Sequence, residues 1–212
     1  MREALLSVGA ALVAGIVIMI LHELPKSIIY CVRSRAEWKE QPNYEQRIKR
    51  TIKDISKVWK YIDPIGLLLC VTTYSGFSKP YMYRMKDRKT NKISGYVGFI
   101  MLFMIAVVNV LILRIYFPDI NYDKLTTLHN ISSILIRFFS FMAYISINMF
   151  IINLIPISTF DMGLLIAGYS PSKYFSIIKN DHNIKLILIF TVLLGIVSTI
   201  SRLIMSTLLV IL

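Results

Sequence analysis

Four long runs of apolar residues dominate the pattern of this sequence. The first, residues 5–21, contains no charged residue, and neither does the second, residues 95–113. The third, residues 131–157, is interrupted only by Arg137, and the fourth, residues 186–212, only by Arg202. A helix of about 20 apolar residues crosses the roughly 30 Å hydrocarbon core of a bilayer. The pattern therefore predicts four membrane-spanning helices, at about residues 5–30, 95–117, 131–157 and 185–212.

A shorter apolar patch at residues 65–71 is too short to span a membrane. Pro64 and Gly66 stand at one end of the patch, and Gly76 follows its other end. We interpret residues 64–77 as a re-entrant or interfacial segment. The predicted fold class is an all-α polytopic membrane protein in a single domain, residues 1–212. A hydrophobic content of 56% and a mean hydropathy of +0.63 agree with this class.

The positive charges predict the orientation of the chain. The formal net charge is +12, and most lysines and arginines lie within residues 26–63 and 79–92, whereas residues 118–130 contain only Lys124. Cytoplasmic loops of membrane proteins carry such an excess of Lys and Arg. We therefore predict an integral membrane protein with both termini outside and with residues 26–94 and 158–185 on the cytoplasmic side. Since topology accounts for the charge, we expect no nucleic acid as a partner.

The basic cytoplasmic loop, predicted at residues 31–63, contains an amphipathic segment. Apolar residues recur at spacings of three and four, at Tyr44, Ile48, Ile52, Ile55, Trp59 and Ile62. This spacing predicts one face of a helix, with Asn43 and Gln46 placed as a capping box. Such a basic helix, with a tryptophan on its apolar side, suits contact with anionic lipid of the inner leaflet. Two alternatives are a helix that packs only on its own domain and short strands within residues 48–62.

Ionisable side chains in the predicted spans are the candidates for chemistry, because burying them in a membrane is costly. His22, Glu23 and Lys26 lie near the cytoplasmic end of the first span. Asp161 follows the third span, after Pro156, which is expected to break that helix. In the predicted topology His22 and Asp161 lie at similar depth. Two helices could therefore bring an imidazole and two carboxylates together, the raw material of a hydrolytic zinc site with Glu23 as general base.

Five motifs carry a resemblance to a known family. They are, in chain order, HELPK (22–26), YIDPIG (61–66), SGFSKPYMY (75–83), NLIPISTFDMG (153–163) and SPSKYFSII (170–178). The chain resembles the site-2 protease family of intramembrane zinc metalloproteases, in its compact bacterial form. The first four motifs correspond to that family's H-E-x-x-H, D-P-I-G, G-F-G-W-A-K-P-V-P-V and N-L-L-P-I-P-P-L-D-G. The resemblance implies a site-2-protease-like core in a bacterial cytoplasmic membrane.

The resemblance also implies zinc as the cofactor and a role for each matching residue. His22 matches the first zinc ligand, Glu23 the general base and Asp161 the third ligand. Asn153 and Pro156 match residues that help to hold an extended substrate in the family, and Gly163 matches the glycine of the same motif. The implied activity is cleavage of a membrane-spanning substrate within the bilayer.

Lys26 departs from the family pattern, because it stands where the second histidine ligand is expected. Residues four apart lie on one face of a helix, so Lys26 points where His22 points. A charged ammonium has no lone pair for a metal, so zinc is expected to bind weakly or not at all. An ion pair with Asp161 or Glu23 would instead satisfy a buried carboxylate. We therefore predict a catalytically impaired pseudoprotease, with Glu23 as a vestigial base, that binds a membrane protein or transmembrane peptide.

Two other functions compete with this prediction. A replacement ligand would make the protein an active intramembrane zinc metalloendopeptidase with an atypical ligand set. His129 lies in the predicted outside loop, on the wrong side of the membrane, so the candidate is His182, ahead of the last span, which could reach the site only if residues 158–185 fold back. Alternatively, the chain is a non-enzymatic helical subunit of a membrane transporter or complex, whose buried charges fix helix register or line an ion path. This last alternative predicts that His22 and Asp161 are far apart.

Overall fold

The computed structural model describes residues 2–80, 87–117 and 131–211. Within these ranges the regular structure is helical, with a 3-10 helix at Val58–Tyr61 in addition to eight α-helices. The α-helices are α1 (Arg2–Trp38), α2 (Tyr44–Ile55), α3 (Pro64–Thr73), α4 (Arg88–Tyr116), α5 (Ile131–Asn153), α6 (Asp161–Tyr169), α7 (Pro171–Leu193) and α8 (Ile196–Ile211). The all-α prediction is confirmed for the described residues. The end of the SGFSKPYMY motif, residues 81–83, lies outside them.

Three of the helices, α1, α4 and α5, are long and apolar enough to cross a membrane. The pair α7 and α8 passes the same test together, but the two helices are bent by 62° relative to each other. Gly195 lies at the bend with a φ of +73°, a left-handed conformation that glycine adopts without steric cost. The chain is therefore a helical membrane protein with three spans, or four if the bent pair counts as one. The span predicted at residues 185–212 falls within this bent pair, which is not one continuous helix.

The helix α1 is longer than predicted, because it continues through Pro25 to Trp38. Residues 31–38, predicted as loop, are therefore helical. A proline in a helix interior costs about 3 kcal/mol, since it removes one hydrogen bond and crowds the preceding turn. Burial on both sides of Pro25 offsets this cost, with Ile18 buried before it and Cys31 buried after it.

The amphipathic segment after α1 is helical, and the alternative of short strands is wrong. α2 and the 3-10 helix together cover most of this segment. Ile48 and Ile55 are buried, whereas Ile52 and Trp59 are 43% and 64% exposed, so only part of the apolar face packs on the protein. The predicted capping box is also wrong. Asn43 has a left-handed φ of 66° and makes no side-chain cap, because such a cap requires extended backbone at this position.

The short helix α3 occupies the apolar segment that was predicted as too short to span. Its ten residues rise only about 15 Å, half of a bilayer core. Asp63 caps its N-terminus, with Oδ1 accepting hydrogen bonds from the N–H groups of Ile65 and Gly66 at 2.9 Å each. Gly66 lies directly against the Phe77 carbonyl, where a Cβ would collide. The DPIG motif therefore both starts α3 and seats the extended residues 75–80 that follow it.

The helix α4 is central to the packing, in contact with α1, α5 and α6. An apolar core joins α1, α3, α4 and α5; its buried members include Ile18, Met19, Cys70, Leu102, Ile105, Met142, Ile145 and Met149. On its side toward α6, α4 has Gly95 and Gly98, and a Cβ at either position would collide with the first turns of α6. This close approach of the two helices positions the start of α6 beside α1.

Candidate functional site

A buried cluster of charged side chains lies between α1 and the start of α6. His22, Glu23 and Lys26 share one face of α1, as residues three and four apart do, and Asp161 is the first residue of α6. The four residues are 1%, 2%, 7% and 0% exposed, respectively. The structure thus brings together the three candidate catalytic and metal-binding residues, His22, Glu23 and Asp161, and places Lys26 among them.

The ammonium group of Lys26 lies in the middle of this cluster. Its Nζ atom donates to Glu23 Oε1 at 2.8 Å and to Asp161 Oδ1 at 2.9 Å, and it lies 3.3 Å from His22 Nε2. The ion pair that the sequence predicted for Lys26 is therefore present with both carboxylates. Such pairing is needed here, because a buried carboxylate without a partner costs several kcal/mol.

The imidazole of His22 makes a short contact through each ring nitrogen. Nε2 lies 2.7 Å from Asp161 Oδ2, and Nδ1 lies 2.8 Å from Ser78 Oγ. Ser78 donates its only hydroxyl proton to Glu23 Oε1 at 2.6 Å, so it accepts a hydrogen bond from Nδ1. Both ring nitrogens of His22 are therefore engaged by oxygen atoms of the cluster.

The motif before Asp161 holds this carboxylate in place. α5 ends at Asn153, ahead of Pro156, which is exposed in the break before α6. The side-chain oxygen of Asn153 accepts a hydrogen bond from the N–H of Asp161 at 3.3 Å. Gly163 lies against the Ile157 carbonyl, where a Cβ would collide. Asn153 and Gly163 thus position the start of α6, while their role and that of Pro156 toward a substrate stay predictions.

Two residues at the cluster were not predicted from the sequence. Ser78, in the extended segment after α3, bridges Glu23 and His22. Gly98 lies against Asp161, and a Cβ there would collide with the carboxylate. Ser78 belongs to the SGFSKPYMY motif, and this membership was the available sequence signal for it. A serine alone does not indicate a partner of His22, so the contact was not predicted. Gly98 follows the same motif, and its role depends on helix packing alone.

The cluster does not fit a catalytic zinc ion. Such a site has three protein ligands and a water molecule, and here an ammonium group stands where one ligand is expected. Within residues 2–80, 87–117 and 131–211, no group of three or more His, Cys, Asp or Glu side chains is arranged to hold a metal ion. The candidate replacement His182 is exposed on α7. His129, which the predicted topology places on the opposite side of the membrane, lies outside the described residues.

Comparison with protein-family models, with curated proteins and with solved structures finds no match to this chain. Membership of the site-2 protease family therefore stays a prediction that rests on the five motifs. The chain is a helical membrane protein that encloses a buried cluster of His22, Glu23, Lys26 and Asp161.

Proposed function

We propose that this protein is a catalytically inactive, site-2-protease-like membrane protein in which the ammonium of Lys26 takes the place of the metal. The observation that carries the proposal is the position of Nζ, within 2.8–3.3 Å of Glu23, Asp161 and His22. A zinc ion at this point would polarise a substrate carbonyl and activate a bound water. An ammonium group supplies positive charge and hydrogen-bond donors, but it has no coordination site at which a water molecule could be activated as a metal ligand.

The hydrogen bonds of Glu23 support the loss of activity. Its Oε1 atom accepts from Lys26 at 2.8 Å and from Ser78 at 2.6 Å. A general base must instead face a water molecule and take its proton. In this arrangement Glu23 holds the extended segment after α3 to α1, which is a structural role.

The function that we propose to remain is binding of a membrane partner. By joining α1 to α6, Lys26 would maintain without a metal the helix arrangement that the resemblance implies. The partner class is a membrane protein or transmembrane peptide, bound as a client and not cut. The exposed Ile52 and Trp59 beside the basic residues of α2 support a second contact, with anionic lipid. We place the protein in a bacterial cytoplasmic membrane, with both termini outside.

One competing function keeps support and another loses it. An active zinc endopeptidase with an atypical ligand set is favoured by the contacts retained between His22, Glu23 and Asp161. The alternative of a transporter or complex subunit predicts that His22 and Asp161 are far apart. Their Nε2 and Oδ2 atoms lie only 2.7 Å apart, so the structure does not have the separation that would have favoured that alternative.

Zinc content and proteolysis together test the proposal. Wild-type protein purified in mild detergent without chelator is expected to contain far less than one zinc ion per chain. It is also expected to leave transmembrane reporter peptides uncut, with or without added zinc. About one zinc per chain, or zinc-dependent cleavage that Glu23→Gln abolishes, would instead establish the active endopeptidase.

A further inference from the structure

A groove of about 280 Å³ opens between α3, the extended segment after it, and α7. Its apolar lining includes Phe77, Phe160, Leu188 and Ile189, and its polar lining includes Lys79 and Lys185. The groove is distinct from the charge cluster, with which it shares only Ser78. Its volume is close to the lower end of small-molecule pockets, which are about 300–1,000 Å³.

Along α7, the polar lining residue of the groove precedes the apolar ones. On α7, residues 179–185 are mostly polar, and an apolar run begins at Leu186. Lys185 therefore lies at the boundary, and Leu188 lies one helical turn inside the apolar part. On α3, Ile65 and Leu68 are 55% and 63% exposed, so the groove adjoins an exposed apolar surface. A ligand that follows this pattern has a polar head and an apolar tail.

The unmatched charge at the groove is positive. Lys79 is exposed, and its ammonium makes no ion pair with any residue that the structure describes. Lys185 pairs with Asp181 at 2.8 Å. The carboxylate of Asp63, which also lines the groove, caps α3, where the positive end of the helix dipole faces it. Lys79 is therefore available to bind an anionic head group, and Lys185 lines the same groove.

The backbone holds Lys79 in a basic neighbourhood. Its N–H donates to the carbonyl of Tyr61 at 2.9 Å, so Lys79 lies next to the end of the 3-10 helix that carries Lys60. The phenol of Tyr61 is buried and donates to the Ile55 carbonyl at 2.9 Å. These hydrogen bonds fix the backbone of Lys79 relative to the 3-10 helix.

We propose that this groove binds one anionic phospholipid of the surrounding membrane, with its phosphate at Lys79 and Lys185 and an acyl chain along Phe77 and Leu188. A transmembrane helix rarely carries ionisable residues, so it would offer Lys79 no counter-charge. A neutral lipid would leave Lys79 without a counter-charge. This site goes beyond the proposed pseudoprotease function and does not depend on it. It also differs from diffuse attraction by the basic loops, since one lipid is held at one place.

Photolabelling of the full chain tests the site. The protein is placed in phosphatidylcholine nanodiscs with a small fraction of phosphatidylglycerol that carries a photoreactive group in its acyl chain. Labels mapped by mass spectrometry are expected on the apolar lining, at Phe77, Phe160 and Leu188. Unlabelled phosphatidylglycerol, but not added phosphatidylcholine, should compete with this labelling.

Two matched variants separate a site from diffuse attraction. Lys79→Gln is expected to lower groove labelling about fivefold, the effect of one basic residue near a membrane surface. Lys49→Gln removes the same charge from an exposed position on α2 and should leave groove labelling unchanged. Ile189→Trp, which fills the groove, should prevent labelling there and leave labels elsewhere on the protein unchanged. Size-exclusion chromatography and thermal melting check that each variant folds.

Three results would overturn the proposal. Equal labelling by a phosphatidylcholine analogue would identify ordinary contact with bulk lipid. An equal loss in Lys49→Gln and Lys79→Gln would identify diffuse electrostatics. Groove labels that persist in folded Ile189→Trp would mean that the lipid lies outside the groove. None of these results bears on zinc content or proteolysis, so the lipid site and the proposed function can each be refuted without the other.

Discussion

Replacing Lys26 by methionine removes the ammonium group and keeps a side chain of similar length. Glu23 and Asp161 then each lose a positive partner, at 2.8 and 2.9 Å, while both remain buried. Removing one member of a buried ion pair costs about 3–5 kcal/mol, because the other charge is left without compensation. For a chain of this length 1 kcal/mol corresponds to roughly 2–4 °C in Tm, so Lys26→Met is expected to lower Tm by about 6–20 °C.

A double-mutant cycle isolates the pairing from the general effect of substitution. Asp161→Asn in the Lys26→Met background removes the charge that Lys26 no longer balances. The double variant should therefore be more stable, by at least about 2 kcal/mol, than the sum of the two single effects predicts. The matched control is Lys60 with Asp54, a pair separated by 2.8 Å against 2.9 Å for Lys26 and Asp161, but with side chains 42% and 38% exposed. Its coupling is expected to stay below about 1 kcal/mol.

The two cysteines provide the assay. Cys31 and Cys70 are free and buried, and burial raises the pKa of the Cys70 thiol to about 12. A thiol-reactive fluorescent dye in detergent therefore reports unfolding without engineered cysteines, because only the unfolded chain exposes reactive thiols. Effects of Lys26→Met and Asp161→Asn that add to within about 0.5 kcal/mol would refute the pairing.

Three further predictions use the same protein in detergent. Gly98→Ala should lower Tm, because its Cβ would collide with the Asp161 carboxylate, whereas Gly9→Ala has open space and should not; equal melting of the two would contradict the packing. Ser78→Ala should cost about 1–3 kcal/mol, since Glu23 and His22 each lose a buried partner, and an unchanged thiol melt would count against that bridge. Hydrogen bonds from Lys60 and Lys57 hold the pKa of Asp54 below its usual range, so their small contribution to stability is present above the ordinary aspartate pKa and is lost as the pH falls through the folded value. A carboxyl NMR titration of Lys60→Met should show that pKa rise, and an unchanged value would contradict this cause.

The membrane helices were predictable because a long uncharged run has few structures available to it other than a buried helix. Their ends were harder to predict. The first span was predicted to end near residue 30, but α1 continues to Trp38, because packing on both sides of Pro25 offsets the local cost of this proline. Gly195 lies inside an apolar run and suggested no break, yet its positive φ separates α7 from α8. Local propensity alone predicts the opposite, because proline disfavours a helix interior more strongly than glycine does, so tertiary packing decides which helix continues.

The charge cluster was partly predictable for a different reason. The spacing of His22 and Lys26 depends on helix geometry alone, so their shared face follows from the sequence. Asp161 was proposed as a partner from topology and motif resemblance. Ser78 and Gly98 were not, because their contacts depend on how the segments after α3 and within α4 approach α1 and α6. No local pattern specifies such approaches.

Zinc binding to wild-type protein and to Lys26→His, measured side by side, tests most directly whether an amine stands in place of a metal site. Both proteins are loaded with zinc, freed of excess ion and analysed for metal per chain. We predict far less than one zinc ion per chain in wild type, about one in Lys26→His, and its loss again in Lys26→His with Asp161→Asn. Stoichiometric zinc in wild type, or no gain of zinc in folded Lys26→His, would contradict the central claim.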